Sequence, residues 1–578
     1  MSDHPVLSPQ QQRIFDPSVR VVEAGPGAGK TRVLVARFLH EAARSTRGVA
    51  LLSFTNAAVD EVHARTASEP RLARAPHFVG TIDSFLHRFI VTPRVIGSLG
   101  RAPHYIRSWS DLPDHHRCRT VRVKDVPGAG VSLARFFPER NRIVLAESAL
   151  GDSERKYVAD VDAAGLRKRL LWIAEKRISD YTKAGVFDPT TARQVAARAL
   201  RNDPSFLERL AQRFSLLLVD EAQDCDAFEL AVFRTLGTRI PTVLAADPDQ
   251  AIFGFRGGGS EHFVTYRDNH DGDARLDLSE NHRSSPAICE TVTALRAVGL
   301  AAIRSRDGAD GPPVLVLSGS MEQVRGKFLA ALEEHDVALS GAVCLAHRRR
   351  AAADLAGQPL PSGTAACGNR LAIICGVMSD PRTSIHERRR AIADAESIVL
   401  SLVCWPKAEN KSATRRQQLE LLGRDATWLR IVAASLVARA SEPGDPAAFG
   451  AAARDFLRGS LDELPLKCSV TAKVKRPDAT SWAQRNHVSS SDVLGFDTVH
   501  GFKGREQEAV LVSLFYLQRV DDKSVLDVWD EGLDTEARRV LYVAASRARS
   551  LLAFAATAQN AARVAGILRR HGVSVELR

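Results

Sequence analysis

Gly25, Gly27, Gly29, Lys30 and Thr31, within VVEAGPGAGKT, are residues able to hold a polyphosphate. Glycines let a backbone turn tightly and point its N–H groups at an anion, and a helix that starts at the lysine adds its positive end. Lys30 would reach the β- and γ-phosphates and the Thr31 hydroxyl would help hold Mg²⁺. A second group matches the first: LLLVDEAQD places Asp220 and Glu221 side by side after an apolar run. Asp220 can hold Mg²⁺ through its waters, and Glu221 can take the proton from a water attacking the γ-phosphate. The chemistry implied is hydrolysis of a nucleoside triphosphate with Mg²⁺.

These side chains need strands to deliver them. Val21 onward reads as a short apolar strand, and Val33, Leu34, Val35, Phe38 and Leu39 give the following segment an amphipathic helical pattern. Ahead of the loop, Ser8 and Pro9 mark a helix start, and the Gln11 amide could read an adenine edge. Further strands are expected at Val49–Phe54, His77–Val79, Phe214–Val219 and Thr242–Ala246. The alternation of strand and helix predicts an α/β fold with parallel sheets, whose ligands lie at the carboxyl ends of the strands.

At those ends stand groups of another kind. Phe54, Thr55 and Asn56 follow one strand, Thr81 another, and DPDQAIFGFRG carries Gln250, Phe253, Phe255 and Arg256 after a third. Hydroxyls, an amide and aromatics suit a single-stranded nucleic acid, with phosphate on one side and base on the other. Gln250 sits where one residue could also sense a γ-phosphate. Taken singly, Phe54 and Phe85 read as core.

Length and charge fit this picture. A chain of 578 residues needs three or four domains or subdomains, and 45% hydrophobic content can fill their cores. Its net charge of +11 suits a polyanion. Eight cysteines with no C-x-x-C pair point to reduced structural thiols rather than zinc or iron–sulfur ligands. Without a signal sequence or a long apolar run, a cytoplasmic location and no membrane partner are expected.

SFTNAAVDEV, GTIDSF, LLVDEAQD, DPDQAIFGFRG, SENHRSS, TVHGFKGREQE and EARRVLYVAASRAR together resemble the ordered motifs of the superfamily 1A helicases, the UvrD, Rep and PcrA group. The resemblance implies two RecA-like P-loop motor domains with ATP between them, each with a mainly helical inserted subdomain. It divides the chain into residues 1–90 and 205–276 for the first motor domain, which holds the ATP site, and 91–204 for its insertion. The second motor domain takes 277–350 and 491–578, and its insertion 351–490. It also implies 3′ to 5′ movement on single-stranded or tailed duplex DNA, in repair, recombination or phage defence.

The resemblance gives individual residues roles. Gln11 and Arg32 lie near adenine, with Lys30 and Thr31 on phosphate and Mg²⁺, Asp220 and Glu221 in hydrolysis, and Gln250 as the γ-phosphate sensor. Phe54, Thr55, Asn56, Thr81, Phe253 and Phe255 become strand contacts, with His500 on the DNA side and Glu506 toward the ribose hydroxyls. Arg283 resembles the γ-phosphate arginine, and His282 stands where the family usually has a tyrosine that stacks on adenine. Arg547 resembles the arginine finger, although by helical pattern alone it reads as a surface residue; Ser546 beside it replaces a common threonine. The basic helical pattern AAGLRKRLLWIAEKR suits either nucleic acid or solvent.

Two other readings compete with a helicase. One is a nucleic-acid-sensing regulatory ATPase that signals to a separate nuclease, as in the helicase-like subunits of Gabija-type phage defence systems; the segment after Leu552 has no nuclease signature, so any nuclease would be a separate protein. The other is a nucleotide-binding module with no role on nucleic acid, which the aromatics of the Phe253 loop disfavour.

Overall fold

The computed structural model describes residues 7–54, 59, 62, 74–112, 119–139, 142–252, 260–297, 299, 302–305, 311–358, 367–379, 383, 385–405, 415–442, 444–479, 481–482, 485, 494–520 and 522–578. Its framework is two six-stranded, wholly parallel sheets, as expected of RecA-like domains. The first contains β1 (Val21–Ala24), β2 (Gly48–Ser53), β3 (Phe78–Thr81), β4 (Phe214–Val219), β5 (Thr242–Ala246) and β6 (Arg275–Leu278) in the order β6-β1-β5-β4-β2-β3. β1, β2 and β5 are buried at every position. Strands covered on both faces read as unbroken apolar runs, which made them visible in the sequence. One face packs on Val33, Leu34 and Phe38 of α1 (Lys30–Ala42), and the other on Phe85, Phe206, Phe233 and Phe263.

The second sheet contains β7 (Val314–Ser318), β8 (Ala342–Ala346), β9 (Gly495–Thr498), β10 (Gln507–Ser513), β11 (Ala548–Ala556) and β12 (Val575–Leu577), ordered β9-β8-β10-β11-β7-β12. Its core includes Val316, Leu345, Val512, Trp529 and Phe554.

The stretch inserted after β3 carries the helices Asp152–Ala163, Arg167–Lys183 and Pro189–Asn202. It also has three small two-stranded ladders that the helical pattern did not foretell, among them Thr120–Val121 with Val131–Ser132 and Phe136–Glu139 with Arg142–Leu145. Gly128 and Gly130 between the first pair adopt φ of 135° and 81°, a turn that apolar periodicity does not register. Strand β3 begins one residue later than expected and runs on through Thr81.

The chain divides into two compact units. Both sheets and most of the first insertion form one, over Met1–Ser108, Thr120–Gly357 and Gly495–Arg578. The other comprises Trp109–Arg119 and Gln358–Leu494. Its described residues form a helical bundle, with Cys367–Ser379, Ile385–Leu402, Ala426–Ser441 and Pro446–Leu461 packed around Leu371, Ile398, Leu436 and Phe449. Gln358 Nε2 donates to the Leu494 carbonyl at 2.6 Å, so the two ends of this segment meet. No helix among the described residues is long and apolar enough to cross a membrane.

Candidate nucleotide site and strand-facing loops

The glycine loop joins β1 to α1. Gly29, the N-cap of α1, has φ 82° and Gly27 has φ 71°, so both need the left-handed region. Space makes a second demand. A Cβ on Gly27 would stand 2.5 Å from Asn281 Oδ1, and one on Gly29 would stand 2.7 Å from Gln11 Nε2. Asn281 was not foreseen: its Nδ2 donates to the Pro26 carbonyl at 2.8 Å while its Oδ1 accepts from the Arg283 and Ser284 N–H groups at 2.7 and 2.8 Å. One buried amide thus ties the phosphate loop to the turn that bears Arg283.

Gln11 is buried and engaged. Its side-chain oxygen accepts from Ser8 N at 3.1 Å and its Nε2 donates to the Ala28 carbonyl at 3.0 Å, so an adenine edge would share an amide already holding the loop. His282 lies beside it, with ring Nε2 3.4 Å from Gln11 Nε2 and its backbone N–H on the Gly27 carbonyl at 3.0 Å. Arg32 is half-buried on the first turn of α1. Gln11, His282 and the loop therefore form one wall.

At the phosphate end, Lys30 Nζ is 2.8 Å from Glu221 and 3.7 Å from Asp220, and Thr31 Oγ1 donates to Asp220 Oδ2 at 2.8 Å. Burial alone would pull the lysine pKa down, but Glu221 and Asp220 outweigh it and hold it above its usual value. Burial pushes Glu221 up, yet Lys30 and then Lys503 bring it down to about 2. Asp220 moves the other way, raised by burial beyond what Lys30 offsets. The Glu221 backbone has φ 57°, a left-handed conformation costing a non-glycine residue roughly 1–2 kcal/mol. It turns the carboxylate toward Lys30. A hydroxyl beside a carboxylate is a hard-oxygen donor pair that suits Mg²⁺, which keeps waters and phosphate oxygens as its other ligands. Consistent with so sparse a protein share, no group of three or more His, Cys, Asp or Glu among the described residues could hold a metal by itself.

Cations from the second sheet face these acids. Arg547 Nη2 donates to Gln250 Oε1 at 3.1 Å, and its Nε donates to the Val543 carbonyl at 3.0 Å. The side chain is 3% exposed, so the helical pattern that made it a surface residue misled. Burial, with the like charge of Arg283, lowers its pKa to about 10. Arg283 Nε pairs with Glu506 at 2.6 Å, and its Nη1 donates to the Ser546 carbonyl at 3.0 Å. Glu506, assigned to ribose, thus holds an arginine here. Lys503, which sequence reasoning passed over inside GFKGRE, donates from Nζ to Asp224 Oδ2 at 2.6 Å and to the Gln250 carbonyl at 2.8 Å, and lies 4.0 Å from Glu221.

Gln250 is oriented from behind. Its Nε2 donates to Asp247 Oδ2 at 2.9 Å, the Tyr542 hydroxyl donates to the same oxygen at 2.8 Å, and Arg296 holds Asp249 at 2.9 Å. The Gln250 oxygen is thereby left facing Arg547. Apart from their place in DPDQ and RRVLYVAASR, Asp247 and Tyr542 gave no sequence signal.

The strand-facing residues are more dispersed. Phe54 is partly buried against the first core, Phe85 is fully buried, and Thr81 caps the next helix by accepting from Ser84 N. Ser53 and Thr81 are partners in register, so Phe54 and Thr81 leave adjacent strand ends. Thr55, Asn56, Phe253, Phe255 and Arg256 lie outside the described residues. His500 follows β9, and its Nε2 donates to the Ile252 carbonyl at 3.2 Å. Burial lowers its pKa despite that bond, so the ring is neutral near pH 7. Ile252 immediately precedes Phe253 in the sequence.

The UvrD/REP helicase N-terminal domain family matches residues 7–105 and 161–271, which includes Gln11, the glycine loop, Asp220, Glu221 and Gln250. DNA helicase II of Salmonella typhimurium is 25% identical over 334 residues, 55% of this chain and 44% of the relative. DNA helicase II of Escherichia coli is 25% identical over 322 residues, 54% and 43% of the two chains. ATP-dependent DNA helicase UvrD1 of Mycobacterium leprae is 25% identical over 365 residues, 58% and 45%. The match spans less than half the length of these relatives.

Proposed function

We propose, on the premise that the chain belongs to the UvrD-like helicases of superfamily 1A, an ATP-driven motor that moves 3′ to 5′ along single-stranded DNA and opens tailed duplexes. The observation that carries this reading is the hydrogen bond from Arg547 to Gln250, which joins a cation from the second sheet to a side chain at a strand end of the first, the sheet that also carries Lys30 and Glu221.

Each cation meant for phosphate rests on a protein acceptor: Lys30 on Glu221, Arg283 on Glu506, Arg547 on Gln250. ATP would draw them onto its phosphates. Thr31 and Asp220 would hold Mg²⁺, whose charge offsets that of the phosphate oxygens. Glu221 at about 2 is a poor base while Lys30 and Lys503 neutralise it. When Lys30 turns to phosphate, the Glu221 pKa rises and its carboxylate can take a proton from the attacking water as ADP leaves. Arg547 and Arg283 would stabilise charge on the transferred phosphoryl group. His500 on the Ile252 carbonyl would carry the resulting closure to the loop of Phe253 and Phe255, with Phe54, Thr55, Asn56 and Thr81 completing the strand grip.

The test is ATP hydrolysis with and without single-stranded DNA, followed by strand displacement on duplexes tailed at either 3′ or 5′ ends. Stimulation with unwinding from a 3′ tail supports the motor, and no stimulation in folded protein refutes it. The mainly helical stretch Gln358–Leu494 favours one alternative, a regulatory ATPase acting with a separate nuclease. Stimulated hydrolysis without strand displacement, together with co-purification of a nuclease, would establish that reading instead.

A further inference from the structure

The helix Arg167–Lys183 buries Leu170, Ala174 and Ile178 and turns its opposite side outward. At 100° per residue, Lys168, Trp172, Lys176, Ser179 and Lys183 fall on one narrow outward stripe, about 22 Å long. Trp172 is 58% exposed, unusual for the side chain with the most apolar surface to hide. The Lys176 ammonium lies 5.5 Å from the centre of its ring. Arg167 is taken up by Glu147 and Asp162, whereas among the described residues Lys168, Lys176 and Lys183 have no carboxylate partner. Glu175 and Asp180 stand only at the edges of the stripe. Among the described residues the indole's partner is Lys176 of the same stripe, which leaves the ring open to solvent on an outward face.

We propose that this stripe is a second contact for single-stranded DNA, apart from the loops at the strand ends, with one base stacked on Trp172 and flanking phosphates on Lys168, Lys176 and Lys183. The chemistry selects the occupant. Lysines in a row fit a polyanion, and an indole face offers a surface that an unpaired base can cover, whereas the bases of an intact duplex are already stacked on one another. For the strand being DNA, the inference rests on the motor reading above.

The experiment uses the full chain and a fluorescein-labelled oligothymidylate at low salt. Trp172→Ala is expected to weaken binding roughly 5- to 150-fold, the loss of one stacked base, and Trp172→Phe to restore most of it. Reversing the charge of Lys168, Lys176 and Lys183 to glutamate should flatten the salt dependence of binding by about 2 in log–log slope. Hydrolysis at saturating oligonucleotide should stay at the unmodified level, because none of these residues touches the nucleotide site. If Trp172→Ala binds like the unmodified chain while hydrolysis is still stimulated by DNA, the stripe is only a solvated face and the proposal falls alone. If the unmodified chain binds the strand through Trp172 but its hydrolysis ignores DNA, the stripe stands and the motor reading falls. A Trp172→Ala defect confined to blunt duplex overturns the choice of a single strand.

Discussion

The two sheets are built alike and charged differently where they meet. The first presents Asp220, Glu221, Asp224, Asp247 and Asp249 at its strand ends, with Lys30 as the cation among them. The elements packed on the second answer with Arg283, Arg296, Lys503 and Arg547, nearly all bonded to a partner from the first sheet or its own edge. On the proposed reading each sheet is incomplete as a catalyst: one would bind phosphate and activate water, and the other would stabilise the transferred charge. A nucleotide would therefore replace existing cation partners rather than fill an empty frame.

This asymmetry can be broken at its ends. Arg547→Ala removes the second sheet's contribution to the transition state and should lower kcat about 10³- to 10⁵-fold while ATP still binds, as read by single-turnover hydrolysis and a nucleotide-binding titration. Loss of binding to the same degree as hydrolysis would place Arg547 on the ground state instead. Glu221→Gln acts on the first sheet. It should cut hydrolysis roughly 10²- to 10⁴-fold and trap intact ATP, measured by recovery of the bound nucleotide. Normal turnover would show that another group takes the proton.

Lys503→Met gives the smallest and most specific effect. Burial raises Asp224 to about 6 with Lys503 the chief restraint, whereas Glu221 lies near 2 because of Lys30 and Lys503. The signs are opposite. Glu221 adds stability that is fully present above its ordinary value of 4.5 and is lost as pH falls toward about 2. Asp224, raised from 3.8, makes stability fall as pH climbs to about 6 and then level off. Without Lys503 that decline should continue above pH 6, seen as a melting temperature that drops more steeply there than that of the unmodified chain. Equal pH profiles would mean that Lys503 does not restrain these acids.

How much of this could be read from the chain depended on distance along it. The glycine loop with Lys30 and Thr31, and the pair Asp220 and Glu221, were legible because each is a run of neighbours following a buried apolar strand. The parallel sheets were legible for the same reason. Contacts such as Lys503 with Asp224, Tyr542 with Asp247 and Asn281 with Pro26 were not, since residues more than 250 positions apart are brought together only by the tertiary fold, the first two by docking of the sheets and the third by pairing of β1 with β6. Arg547 shows the cost: its helical pattern speaks of its own helix, while its burial is imposed by another part of the fold. The ladders at Thr120–Leu145 escaped because strands of two to four residues are too short to establish a period among helical neighbours.

The hydrogen bond from Gln358 to Leu494 has a practical meaning for how such a chain is assembled. β8 and β9 are neighbours in the sheet, paired from Val343 with Gly495 to Ala346 with Thr498. The helical unit is threaded between them, yet its entry and exit lie within one hydrogen bond of each other. A short glycine–serine bridge could span that gap, leaving β9 able to pair as before. Along the chain, the stretch Gln358–Leu494 is a cassette with one seam, while Trp109–Arg119 joins the same unit from the first insertion.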